Sequence, residues 1–371
     1  MTGNPWPPGA ATGVGSMPGT DPLEAAKVVI GELPELPHLP ELPARGLGAD
    51  MIGRTAALLV DLAIEEVTSG YRVTAKPGRD HNRAVSLLRT DLDAFDESLG
   101  QAGAYPHVVK VQAAGPWTLA AGIELRNGHQ VLTDDGALRE FTASLAEGLA
   151  EHAAEVARRT GATVVVQLDE PSLPAVLAGM LPTPSGYGTV PAVAESDAQA
   201  ALRTVLGAVP GPGIVHCCAP NPPIALLRAA GAGALGVDVS LVGGAQATDV
   251  SLVGGARATD VSLGGAQATG VSLAGGADAT DALGEAWDGG ATLLLGVVPA
   301  LEPASPLTLR EAAGRAFELA DRIGFPRAAL ARNAVPTPAC GLAGASPAWA
   351  RRALALARDV GRAFVEPPQG W

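Results

Sequence analysis

Short aliphatic runs recur along this chain, and most are followed by a helical pattern before the next run begins. Ala11–Ser16 is the first, Arg45–Asp50 the second, His107–Gln112 the third and Thr163–Leu168 the fourth. Gly213 to His216, Ala234–Val237, Thr292–Val298 and Ala328–Val335 complete a set of eight. Strands alternating with helices predict an α/β fold, and eight of them predict a single closed (β/α)8 TIM barrel spanning residues 1–371. Polar or ligand-type residues gather at or just past the ends of these runs: Ser16, Gly115, Asp169, His216, Asp238 and Cys340. In such a barrel the carboxyl ends of the strands share one rim, where active sites are built.

Helix boundaries are written locally. Asp21 with Glu24 three residues on, Thr308 with Glu311, and Ser346 before Pro347 each have the form of an N-terminal cap. A long amphipathic helix is expected over 136–160 and another through Val85, Leu88, Leu92 and Phe95. A helix is also expected through Thr55, Leu59 and Ile64, followed by a polar connection from Ser69 to Arg83. The last helix should bury Trp349, Ala353, Leu356, Val360 and Phe364. Between Glu32 and Pro43 proline stands at every third position, which predicts a polyproline-like rim loop with His38 exposed.

Residues 238–280 are a tandem repeat beginning at Asp238, Asp249, Asp260 and Gly270, with a period of 11 residues and one unit of 10. The units are rich in glycine and lack bulky side chains, so the repeat is expected to protrude as a duplicated loop between the sixth and seventh strands. Three aspartates share one local sequence, and Asp238 is the one directly preceded by an apolar run.

A net charge of −13 opposes polyanionic partners, so nucleic acid and anionic membrane surfaces are not expected. No uninterrupted apolar run is long enough to span a bilayer, and the N-terminus lacks a signal core, which predicts a cytoplasmic protein. There are three cysteines, Cys217, Cys218 and Cys340. In a reducing compartment metal binding or reactivity explains them better than disulfides.

His216 and Cys218 alternate with Cys217, so on an extended strand they face one side together. Cys217 then faces the barrel wall as a small apolar residue. Imidazole with thiolates is a donor set that zinc favours, and Cys340 ends another strand in the same way.

These motifs resemble the catalytic C-terminal barrel of the cobalamin-independent methionine synthases, within the uroporphyrinogen decarboxylase and methionine synthase-like barrels. The resemblance rests on Val14-Gly15-Ser16-Met17-Pro18, Val111-Gln112 with Gly115-Pro116-Trp117-Thr118, Gln167-Leu168-Asp169-Glu170-Pro171, His216-x-Cys218, the strand ending at Asp238, and Pro338-Ala339-Cys340-Gly341-Leu342. It spans nearly the whole chain; the family's second, N-terminal barrel has no counterpart in this sequence. The resemblance implies zinc held by His216, Cys218, Asp238 and Cys340, with Gly15, Ser16 and Asp169 contacting the amino-acid end of homocysteine. Asp238 is one methylene shorter than the family's usual glutamate. The sequence departs again at Ala175 and Gly53, where the family carries acidic residues, and near Gly122, where the family stacks its folate on a tryptophan.

The function so implied is a zinc-dependent methyltransferase that methylates a small-molecule thiol, homocysteine, to methionine with methyl-folate as donor. Coordination would hold the thiol as thiolate at neutral pH. His38, His81, His107 and Asp169 are candidates to protonate the leaving nitrogen. Two alternatives stand beside this reading. One is a thiol methyltransferase fed by a corrinoid, or a decarboxylase-like relative. The other is a non-catalytic zinc barrel that acts in binding.

Overall fold

The computed structural model describes residues 4–184, 186–242 and 276–368. Most of the tandem repeat, including Asp249 and Asp260, lies outside the described residues, and with it the expectation of a protruding loop. In chain order the first half comprises α1 (Pro22–Glu32), α2 (Met51–Ala56), β1 (Ala63–Val67), β2 (Gly70–Thr74), α3 (Arg79–Ala102), β3 (Val108–Ala114), α4 (Pro116–Gly122), β4 (Ile123–Glu124) and α5 (Asp135–Thr160). The second half comprises β5 (Thr163–Asp169), α6 (Leu173–Ala178), α7 (Glu195–Ala208), β6 (Ile214–Cys217), α8 (Ile224–Ala229), β7 (Ala234–Asp238), α9 (Gly276–Asp288), β8 (Thr292–Val298), α10 (Leu309–Arg322), α11 (Leu330–Asn333), β9 (Ala334–Pro338) and α12 (Pro347–Val365).

Six strands form one parallel sheet in the order β3-β5-β6-β7-β8-β9, flanked by helices. The architecture is α/β and consistent with a TIM-like barrel. Two extended segments outside the named strands connect to the sheet's two edges. Thr12 N donates to Pro336 O on β9 (3.3 Å), and Glu41 N donates to Gly15 O (3.2 Å). Leu39 N then donates to Lys110 O on β3, and Lys110 N to Pro37 O, both at 2.9 Å.

Side chains on one face of the sheet build an apolar layer from Val108, Val165, Ile214, Ala234, Leu294 and Val335, one from each strand, together with Trp6, Ala10 and Leu36. Strand alternation puts Lys110, Gln112, Gln167, Asp169, His216, Cys218, Gly236 and Asp238 on that same face, nearer the carboxyl ends. The polar group therefore stands directly above an apolar floor. Among the described residues no helix is long and apolar enough to cross a membrane.

The capping expectations hold. Asp21 accepts from Leu23 N and Glu24 N, Thr308 and Glu311 form a reciprocal capping box, and Ser346 accepts from Trp349 N. The stripe from Trp349 to Phe364 on α12 is buried.

Several expectations are corrected. Arg45–Asp50 is not a strand: Pro43–Arg45 forms a 3-10 turn, and the Asp50 side chain caps α2. The extended segment beside β3 is instead the proline run, where the bridge from His38 to Lys110 forms. Proline denies a hydrogen bond only at its own nitrogen, so Leu39 and Glu41 between the prolines still donate to opposite neighbours. Leu33, Leu36, Leu39 and Leu42 are each at most 1% exposed, and burying a leucine contributes roughly 1.5–3 kcal/mol. The run is wall rather than rim loop, and His38 is buried within it at 1% exposure. The helix expected to reach Ile64 stops at Ala56, and β1 pairs with β2 as an antiparallel hairpin across the expected polar connection. Ala328–Asn333 is helical, so the eighth expected strand begins only at Ala334.

Candidate functional site

His216 and Cys217 end β6, with His216 paired between Asp169 on β5 and Gly236 on β7. Gly236 is required there: a Cβ on it would come within 2.8 Å of His216 Nδ1. Cys217 is buried and its thiol is pushed up to about 12, chiefly by burial, so it stays an inert packing residue. Cys218 lies one residue past the strand. Cys340 lies two residues past β9, on a segment fixed by Ala339 N donating to Val298 O (2.7 Å) and Leu342 N to Ser16 O (2.8 Å).

These elements bring His216, Cys218 and Cys340 together, with one ligand atom of each within 4.8 Å of the others. The two sulfurs are 3.1 Å apart. The Cys218 thiol and the His216 ring hold Cys340 down to about 4, while Cys218 is pushed up by the same shared proton. His216 Nε2 is buried without a hydrogen-bond partner among the described residues. An orphaned buried nitrogen costs about 1–3 kcal/mol, and a cation bound by the adjacent sulfurs would satisfy it. One imidazole nitrogen with two soft sulfurs fits a divalent ion of the zinc class.

Asp238 ends β7 on the same rim but is not one of the three grouped donors. Its Oδ1 accepts from Ser240 N (2.9 Å) and Ser240 Oγ (2.7 Å). Burial raises its pKa, and it is close enough to Cys340 and His216 to sense their charge.

The three residues expected at the amino-acid end border the same group. Gly15 makes room for Gln112, since a Cβ there would come within 2.8 Å of Gln112 Cγ. Ser16 packs on Gly341, where a Cβ would collide with Ser16 Oγ. Asp169 is buried, accepts from Gln167 Nε2 (2.7 Å), and is pushed up to about 7, mostly by burial and against the pull of His216.

Sequence reasoning left several neighbours without a role. Lys110 is fully buried and lowered to about 8 by burial, against the pull of Asp169 and Glu41. Glu41 is buried, accepts from Gln112 Nε2 (3.1 Å), lies 3.6 Å from Arg54 Nε, and is raised foremost by burial. Arg54 in turn pairs with Asp91, which also meets Arg45 at 2.7 Å. The signal for Lys110 was available: Lys110 and Gln112 share a parity inside a run whose other face is Val109 and Val111.

Glu170 has a structural task. Its carboxylate accepts from Trp117 N (3.0 Å), Thr118 N (2.9 Å) and Thr118 Oγ1 (2.8 Å), so it caps α4. Gly115 has no room for a Cβ because this carboxylate occupies the space. The two motifs around Gly115 and Asp169 are thereby tied together.

The proton-donor candidates separate by position. His107 is exposed and precedes β3, at the end away from His216, Cys218 and Cys340. His38 sits in the wall against Gly13, with its pKa well below the usual imidazole range, mainly through burial. His81 lies on α3 and is lowered by burial. Trp117 is fully buried and donates from Nε1 to Ala198 O (3.1 Å). At Gly122 a Cβ would come within 2.8 Å of Ile52 Cδ1. At Gly53 a Cβ would collide with the Tyr71 hydroxyl, which binds the Asp50 carboxylate.

The sequence matches the family model described as the catalytic domain of cobalamin-independent synthase over residues 9–252. That span includes His216, Cys218 and Asp238, whereas Cys340 lies beyond it and joins them only through the fold. Among solved structures, a B12-independent methionine synthase from Shewanella sp. W3-18-1 in complex with selenomethionine is similar, with TM-score 0.53 and 10% identity, covering 96% of this chain and 98% of that one. A putative vitamin-B12-independent methionine synthase from Listeria monocytogenes has TM-score 0.54 and 13% identity, covering 96% and 98%. A methyltransferase from Methanosarcina mazei has TM-score 0.52 and 16% identity, covering 99% and 94%. At such identities the likeness is one of fold. No curated protein matches the sequence.

Proposed function

The chain belongs to the family of cobalamin-independent synthase catalytic domains, methyltransferases in kind, and from that premise we propose that it methylates the thiol of homocysteine to give methionine. The observation that carries this reading is the meeting of His216, Cys218 and Cys340 across two distant segments. We assign zinc to that group, with Asp238 as a fourth donor once its carboxylate turns from Ser240. Zinc bound there would supply Lewis acidity, keeping the acceptor sulfur as thiolate at a pH where a free thiol is mostly protonated.

The chain's own residues do the rest. Gly236 leaves room for the His216 ring beside the sulfurs, and the half-buried cysteines limit the water that reaches them. Asp169, with Glu41 near it, takes the ammonium of the amino acid, and Gly15 and Ser16 hold its backbone end. The scaffold in this reading is one closed (β/α)8 barrel over residues 1–371. It is supported by the hydrogen bonds that run from β9 through residues 12–16 and 37–41 to β3.

The methyl donor in this reading is a methyl-folate. A second reading, delivery from a corrinoid, is favoured by one observation. Trp117 is sealed in the core and Gly122 is packed by Ile52, so neither offers a face on which a pteridine could stack.

The test is methionine formation from homocysteine by zinc-loaded protein, supplied in parallel with methyltetrahydrofolate and with methylcobalamin. Turnover with the first supports the folate reading, and with methylcobalamin alone the corrinoid reading. No product from either, with zinc bound at one equivalent, would overturn the proposed reaction.

A further inference from the structure

The side-chain ammonium of Lys110 is held inside the sheet by three acceptors: Val14 O at 2.9 Å, Gln112 Oε1 at 3.2 Å and Gln167 Oε1 at 2.9 Å. Three acceptors around one nitrogen match the three donors of a charged lysine. An amide has two orientations, and a cation at its oxygen selects one of them. Both glutamines therefore turn their nitrogens away from Lys110. Gln112 Nε2 donates to Leu39 O (2.6 Å) and Glu41 Oε1 (3.1 Å). Gln167 Nε2 donates to Val14 O (2.9 Å) and Asp169 Oδ1 (2.7 Å). One buried cation thus sets two amides, and each amide fixes one carboxylate near the site.

We propose that Lys110 is a positioning residue which, through Gln112 and Gln167, holds Glu41 and Asp169 as a paired receiver for the ammonium group of an amino-acid thiol. The inference rests on the acceptor reading given above and adds what makes that acceptor an amino acid rather than any thiol. Each amide engages one carboxylate oxygen, Oε1 of Glu41 and Oδ1 of Asp169, and leaves the other for the substrate's N–H donors. With either amide reversed, its oxygen would face a carboxylate oxygen, and the two carboxylates would swing apart. The Val14 carbonyl, bonded by both Lys110 and Gln167, ties the Gly15-Ser16 segment to the same device.

The test compares homocysteine with 4-mercaptobutanoate, the same thiol acid without its α-amino group. Equilibrium binding of each to the zinc-loaded protein is measured for wild type and Lys110→Met, with metal content determined in parallel. Lys110→Met is expected to weaken homocysteine binding about tenfold or more, to leave 4-mercaptobutanoate within about twofold, and to keep its metal. Equal losses for both thiols, or no loss for either, would overturn the proposal. If wild type binds the two thiols equally, the amino-acid reading falls and the proposal with it. If Lys110→Met does not fold, Gln112→Met and Gln167→Met each cut one arm with the cation in place. Each is expected to show the same selective loss, and its absence in both overturns the proposal.

Discussion

The sulfurs of Cys218 and Cys340 lie 3.1 Å apart although 122 residues separate them in the chain. Their segments end β6 and β9, which are not neighbours: β7 and β8 stand between them in the sheet. Curvature of the sheet is what closes that gap. Neither strand needs the sulfurs for its own packing, since Ile214, Val215, Val335 and Leu342 are buried around them.

Cys340→Ser should consequently remove the metal and leave the fold. The expected outcome is loss of bound zinc and a fall in methyl transfer of at least ~100-fold, beyond the 10–100-fold typical of outer partners. Circular dichroism should be unchanged. Measuring metal content and the unfolding midpoint together decides the matter, because a large drop in the midpoint of the metal-free protein would make the group structural.

Gly236→Ala probes the seat of the imidazole. The added Cβ would lie 2.8 Å from His216 Nδ1, between paired strands that have little room to part. The ring must tilt, which should weaken metal affinity about 10–100-fold, as for other changes that misorient a ligand. Overpacking adds ~1–3 kcal/mol of destabilisation. A competition titration against a chelator reads the first effect, and urea unfolding of the metal-free protein the second.

What the sequence disclosed was mostly local. Thr292–Val298 was legible because a run dominated by Leu and Val between a glycine pair and a proline has few other uses. Asp21, Thr308 and Ser346 were legible because a cap is made within four residues. The meeting of His216, Cys218 and Cys340 was legible because cysteine is rare here. By contrast, the β1–β2 hairpin was hidden, its start at Ala63 and Ile64 read as the end of a helix and its second strand as part of the polar stretch from Ser69 to Arg83. The prolines hid the wall segment at 37–41, whose bonds come from the residues between them. Glu41 was missed because a buried charge is tolerated through distant partners, here Gln112 and Arg54, which are invisible in the local sequence. Lys110 was missed although its shared parity with Gln112, one of its acceptors, marked it.

Glu170→Gln tests whether the acid beside Asp169 is a cap. The carboxylate accepts three hydrogen bonds from the first turn of α4, two of them at Oε2. An amide can accept at only one of the two positions and sets an N–H against a donor at the other. The expected cost is about 1–3 kcal/mol in urea unfolding, from the donor left unsatisfied. A change under ~0.5 kcal/mol, the ordinary scatter of surface substitutions, would reject the capping role.

His152 sets a pH dependence that does not involve His216, Cys218 or Cys340. It lies buried on α5, and its pKa is lowered to about 3, first by burial and then by the charge of Arg54, with Glu155 opposing. Between that value and the usual ~6.5 the unfolded chain takes up a proton that the folded one refuses. The unfolded state binds more protons, so this stabilisation is complete above about pH 6.5 and is lost progressively as the pH falls toward 3. By pH 5 the loss from this one side chain should be about 2 kcal/mol. His152→Gln removes the titration while keeping a similar volume and hydrogen-bonding capacity. The difference in unfolding free energy between wild type and the variant should therefore shrink, or change sign in favour of the variant, from pH 7 to pH 5. His38 and His81 titrate in both proteins and cancel in that difference. A difference that stays constant across the range would mean that His152 accepts its proton in the folded state.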